Sequence, residues 1–99
     1  MKEAPLKRAI LRLLKKRGYL AWSNPQNAYT QSGIPDIQGV LPGGRAFFIE
    51  CKAPGRYANP VSGLSKIQAM WVNALREVGA LVLVTDSVAA IEPYFVSES

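Results

Sequence analysis

The chain has 99 residues, 48% hydrophobic and 19% charged, which specifies one small globular domain spanning 1–99 and excludes a disordered tail or a fibre. Twelve Lys and Arg against seven Asp and Glu leave a net charge of +5, so an anionic partner is expected, nucleic acid before an anionic membrane. With no His and one Cys, His-based nucleophilic catalysis, His-containing zinc sites and an internal disulfide are excluded, leaving carboxylates, lysines, hydroxyls or a carboxylate-held metal.

Residues 3–17 predict an amphipathic helix, because Leu6, Ala9, Ile10, Leu13 and Leu14 recur at three- and four-residue steps. Pro5 is tolerated near the helix start and Gly18 stops it. Its other face carries seven of the twelve cations, Lys2, Lys7, Arg8, Arg12, Lys15, Lys16 and Arg17. That face is either a nucleic-acid contact or a solvated surface. The basic N-terminus leads into no apolar h-region, so no signal peptide is expected. The longest apolar run, Ala80 to Val84, is five residues against the roughly 18 needed to span a bilayer, and the buried-strand pattern and long polar loops count against a toxin-like or membrane-surface cationic protein, so no membrane partner is expected. The lone Cys fits a reducing cytoplasm.

Tyr19–Trp22 reads as a short strand, and the polar stretch Ser23–Pro35 as a long loop. Asp36–Leu41 and Arg45–Lys52 read as a hairpin closed by Pro42-Gly43-Gly44. A Pro/Gly-rich loop, Ala53–Gly63, follows. Leu64–Val78 predicts a second helix with Leu64, Ile67, Trp71, Leu75 and Val78 on its buried face, ended by Gly79. Ala80–Thr85 is a continuous apolar strand, expected at the sheet centre and covered on both faces. Ser87–Ile91 predicts one helical turn. Trp22 and Trp71 are expected in the core. The order α-β-β-β-α-β implies an α/β fold in which helices flank a mixed sheet.

The chemistry concentrates in the hairpin. Alternation along a strand points Glu50 and Lys52 to one face, and Ile49 and Cys51 to the other. Asp36 lies fourteen positions before Glu50 across a tight turn, so antiparallel pairing brings the two carboxylates together. Such a pair repels unless a cation or proton lies between them, and an oxygen-rich cluster suits Mg²⁺ or Mn²⁺. A metal there, with Lys52 as a point charge beside it, suits phosphodiester hydrolysis. The competing reading of Glu50-x-Lys52 is a surface ion pair. The Cys51 backbone carbonyl is a further expected metal ligand, and its side chain is expected to pack. Ser65-x-x-Gln68 is a capping box that starts the second helix.

Pro35-Asp36 followed by Glu50-x-Lys52 resembles the PD-(D/E)xK nuclease signature. The wider string is similar to the virus-type replication-repair nuclease (VRR-NUC) family: Ser32-Gly33-Ile34-Pro35-Asp36, then Phe48-Ile49-Glu50-Cys51-Lys52, then Leu64-Ser65-Lys66-Ile67-Gln68. The resemblance implies a restriction-endonuclease-like fold and a divalent-metal nuclease. It assigns Asp36 and Glu50 to the metal and Lys52 to the motif lysine. It places Gln68 by the metal or scissile phosphate. It also matches Glu3 to an acidic residue that completes the site, although helix N-terminal charge complementarity explains Glu3 equally well. Arg56, Tyr57, Lys66, Arg12, Lys15 and Lys16 are the candidate nucleic-acid contacts. The small stand-alone members imply branched DNA of the Holliday-junction kind as substrate.

The expected activity is therefore a metal-dependent endodeoxyribonuclease with no small-molecule cofactor. The alternatives are a monomeric flap or nicking nuclease, and a non-catalytic nucleic-acid-binding module. Paired cutting of a junction needs two sites, so a homodimer is expected. Val88–Phe95 and the exposed side of the first helix are the candidate interfaces.

Overall fold

The computed structural model describes residues 3–25, 32–53 and 64–96. In chain order the elements are α1 (Glu3–Lys16), β1 (Leu20–Ser23), β2 (Ile37–Val40), β3 (Ala46–Cys51), α2 (Lys66–Glu77), β4 (Leu81–Thr85) and α3 (Val88–Ile91). A 3-10 turn, Glu92–Tyr94, follows α3. The strands form one mixed sheet in the order β1-β2-β3-β4. The first three are antiparallel, and β4 runs parallel to β3. A parallel neighbour requires a crossover, and α2 supplies it. The α-β-β-β-α-β order and the flanked mixed sheet agree with the sequence reading.

Each sheet face has its own core. On one side, Leu6, Ile10 and Leu14 of α1 pack with Ala21, Ile37, Phe47, Ile49, Cys51, Ile91 and Phe95. These helix positions are spaced four apart, one stripe of an α-helix. On the other side, Val72 of α2 packs with Phe48, Ala80 and Val82. Within the first core, Phe95 stands edge-on to Tyr19, with ring centroids 5.3 Å apart, and tilts against Phe47 at 4.9 Å. Gly39 belongs to the same packing. A Cβ there would collide with the Phe47 ring and the Leu20 carbonyl, so only glycine lets β2 lie this close.

Four expectations are corrected. First, β4 is an edge strand of the described sheet, and β3 is central. The apolar run does report two-sided coverage, since Leu81 and Leu83 adjoin one core and Val82 and Val84 the other. Coverage of the faces does not require a neighbour on each edge. Second, the inner stripe of α2 centres on Val72, while Ile67 and Val78 are exposed. Third, Trp22 is exposed and Trp71 half-buried. Fourth, Ile91 and Phe95 fill the chain's own core, which narrows the apolar surface of Val88–Phe95 to Ala89, Ala90, Pro93 and Tyr94.

Arg17, read with the basic face of α1, has a structural task. Its guanidinium donates to the Phe95 carbonyl at 2.9 Å and lies 3.8 Å from the Glu92 carboxylate. Tyr19 Oη donates to the Val96 carbonyl at 2.7 Å. These bonds fasten the end of the described chain to the end of α1.

Candidate functional site

The β2–β3 register pairs Ile37 with Ile49, and carrying it one pair further sets Asp36 across from Glu50. Ile37 and Ile49 face the α1 core, so alternation turns Glu50 toward α2. Asn24 holds the Asp36 end of the hairpin. Its N–H donates to the Asp36 carbonyl at 2.8 Å, and its Nδ2 donates to the Pro35 carbonyl at 2.9 Å. The Cys51 N–H donates to Asp36 Oδ2 at 2.9 Å, which fixes the carboxylate at the mouth of the sheet.

Glu50 is only 3% exposed. Its Oε1 accepts a long hydrogen bond, 3.4 Å, from Gln68 Nε2, while its Oε2 is buried with no partner. Burial is the main cause that pushes the Glu50 carboxyl up from 4.5 to about 9. The neighbouring Asp36 adds to the rise through its charge and, only once one of the two carboxyls is protonated, through a hydrogen bond between them. The Lys52 charge opposes it, and Glu3 adds a little. Two carboxylates thus face each other in a poorly solvated place, and one of their oxygens lacks a donor. That is the arrangement a cation neutralises.

Lys52 is buried too and reaches its place through α2. Its Nζ donates to Gln68 Oε1 at 2.8 Å. The same Oε1 accepts from the Ser65 N–H at 3.0 Å, and Ser65 Oγ accepts from the Gln68 N–H at 3.2 Å. The expected capping box is therefore present with both arms, and the glutamine that closes it also joins Glu50 to Lys52. One amide serves the helix start and the charged pair together. The Cys51 side chain points into the opposite core, and burial with the nearby carboxylates pushes its thiol up to about 12. It packs, as expected, and stays protonated.

Glu3 stands in the first turn of α1. With Ala4, Lys7 and Asp36 it lines a cavity of about 220 Å³ beside the carboxylate pair. Among the described residues no three Asp, Glu or Cys side chains converge on a metal position, so Glu3 does not join Asp36 and Glu50 in a closed triad. The donor set that does fit a hard divalent cation is the Asp36–Glu50 pair with its orphaned oxygen. Lys7 and Asn24 belong to this neighbourhood; the sequence reading placed Lys7 only on the basic helix face and did not single out Asn24. Lys7 had one signal, its four-residue spacing from Glu3 on a helix. Arg12, Lys15 and Lys16 are exposed on α1, toward the helix end away from the cavity, and Lys66 is exposed on the first turn of α2. Arg56 and Tyr57 lie outside the described residues.

No protein-family model and no curated protein matches the chain. Solved structures do. One, described as a VRR_NUC domain protein, superposes with a TM-score of 0.71 at 15% identity over 92% of this chain and 82% of its own. Another, described as a VRR_NUC domain, gives a TM-score of 0.68 at 24% identity over 92% of this chain and 90% of its own. The chain has the fold of these VRR_NUC domains, an α/β fold with a mixed four-stranded sheet and flanking helices.

Proposed function

We propose that this chain is a divalent-metal-dependent DNA endonuclease that hydrolyses phosphodiester bonds in branched DNA, Holliday-type junctions included. Mg²⁺ or Mn²⁺ would be held by Asp36, Glu50 and the Cys51 backbone carbonyl, with Glu3 across the adjoining cavity. The observation that carries this reading is the buried Glu50 carboxylate, orphaned at one oxygen and set against Asp36. A binding module without chemistry has no use for such a group, which destabilises the metal-free fold. The fold shared with solved VRR_NUC domains supports the same reading.

A divalent cation held by this pair would supply an acidified water and would neutralise charge on the phosphoryl oxygens. The protein's own residues do the positioning. The Cys51 N–H orients the Asp36 carboxylate, and Gln68 sets Lys52 Nζ and Glu50 on either side of one amide. Lys52, fixed by a 2.8 Å hydrogen bond, stands as a preorganised positive charge for the developing charge on phosphate. The exposed cations of α1 attract the DNA backbone and make binding salt-sensitive. Among the described residues no helix is long and apolar enough to cross a membrane.

Junction cutting by paired incisions requires a homodimer, which belongs to this proposal. Linear, nicked, flapped and four-way DNAs incubated with Mg²⁺, Mn²⁺ or EDTA test the activity. Cation-dependent cleavage that prefers the four-way substrate and vanishes in Asp36→Ala is the expected result. Cleavage in EDTA, or wild-type activity in Asp36→Ala, would overturn the site. A solution mass equal to the 10.8 kDa chain would remove the dimer and favour flap or nick cleavage.

A further inference from the structure

The core beneath α2 lies over β3 and β4, and among the described residues no helix covers the same face of β1 and β2. α1 covers the opposite side, where Ala21 and Ile37 point. Alternation and register place Leu20 and Trp22 of β1, with Val40 and Gln38 of β2, on the open face. Leu20 is 66% exposed and Trp22 41% exposed. This face continues into the site. The row Leu20–Val40 is followed by Trp22–Gln38, and then by Asn24, Asp36 and Glu50. Trp22 thus stands two residues, about 7 Å, along the strand from the carboxylate row and on the sheet face toward which Glu50 turns.

We propose that Trp22 is a base-stacking platform of the nuclease site: an unpaired nucleobase of the strand being cut stacks on its indole, beside the Gln38 amide. The inference rests on the nuclease reading and adds that a nucleotide beside the cut is unpaired when bound, as at the opened branch point of forked or four-way DNA. Within a duplex, bases are stacked on one another and present only their edges in the grooves, so a lone exposed indole gains little from paired DNA. An unpaired base offers its face, and every base has one, so the contact tolerates any sequence. The occupant follows from where the face leads. Its polar end runs into the Asp36–Glu50 row, where a nucleic-acid strand must pass for its phosphodiester to be cut. The net charge of +5 draws that strand in. The competing occupant is a second copy of the chain.

Binding is measured in EDTA by fluorescence anisotropy, with a fully paired duplex and a splayed duplex of the same length. Wild type, Trp22→Ala and Trp22→Phe are compared, and thermal melts establish that each variant folds. Stacking by one base is expected to make Trp22→Ala bind the splayed DNA between roughly fivefold and a hundredfold more weakly. Duplex affinity should stay unchanged, and Trp22→Phe should fall between the two. Equal loss on both DNAs, or no loss on the splayed one, overturns the proposal. So does a fall in solution mass in Trp22→Ala, which would assign the face to a second copy. Because stacking is read from binding alone, failure of the nuclease reading shows separately, as absence of cation-dependent cleavage by wild type.

Discussion

Replacing Glu50 by Gln is expected to stabilise the metal-free protein, and by an amount that grows with pH. A carboxyl whose folded value is raised binds its proton more tightly in the native state than in the unfolded chain. Stability is therefore whole below the ordinary value of 4.5 and drains away as pH rises toward about 9. Each pH unit in that window costs about 1.4 kcal/mol, so at pH 7 the deficit relative to a neutral isostere is about 3 kcal/mol. Gln carries no charge to bury, and an amide nitrogen in place of the orphaned Oε2 has the Asp36 carboxylate to donate to. For a domain of this size that deficit corresponds to a melting temperature higher by roughly 10–20 °C in Glu50→Gln at pH 7. Thermal melts in EDTA at half-unit steps from pH 5 to pH 9 read the gap directly. It should be small at pH 5, widen steadily and level off near 9. Added Mg²⁺ or Mn²⁺ should close it by raising wild type alone, since a ligand stabilises the state that binds it. A gap that ignores pH, or a Glu50→Gln protein less stable than wild type at pH 8, would refute the argument that burial beside Asp36 strains this group.

Two further outcomes follow from the hydrogen bonds and charges. Ser65→Ala and Gln68→Ala each remove an arm of the same capping box, so both should lower stability by about 1 kcal/mol in urea titrations. Only Gln68→Ala also releases Lys52 and Glu50, so it should cut kcat at least tenfold while Ser65→Ala keeps most of its activity; equal losses would reduce Gln68 to a cap. Reversing the charge of Arg12, Lys15 and Lys16 together should weaken DNA binding and flatten the slope of log affinity against log salt. An unchanged slope would make that face of α1 plain solvated surface.

Much of the architecture was legible from local pattern. The three- and four-residue steps of Leu6, Ile10 and Leu14 predicted α1, and Ser65-x-x-Gln68 predicted where α2 begins. The two-residue period of strands separated Glu50 and Lys52 from Ile49 and Cys51, and a tight turn between Asp36 and Glu50 sufficed to bring both carboxylates to one end of the sheet. These features depend only on backbone geometry, which repeats every few residues and is written in spacing. What depends on a distant element was hidden. Trp22 and Ile91 are both apolar, yet one is exposed and the other buried, because Ile91 at the end of α3 packs into the core with α1 and the sheet, while among the described residues no helix covers the sheet face that carries Trp22. Arg17 looked like any other cation of α1 until the chain end came round to meet its guanidinium. The orphaned oxygen of Glu50 is likewise a tertiary fact. Spacing brings the two carboxylates together, but only the packing of α2 against β3 and β4 takes water from one of them and leaves it with an unfilled bond.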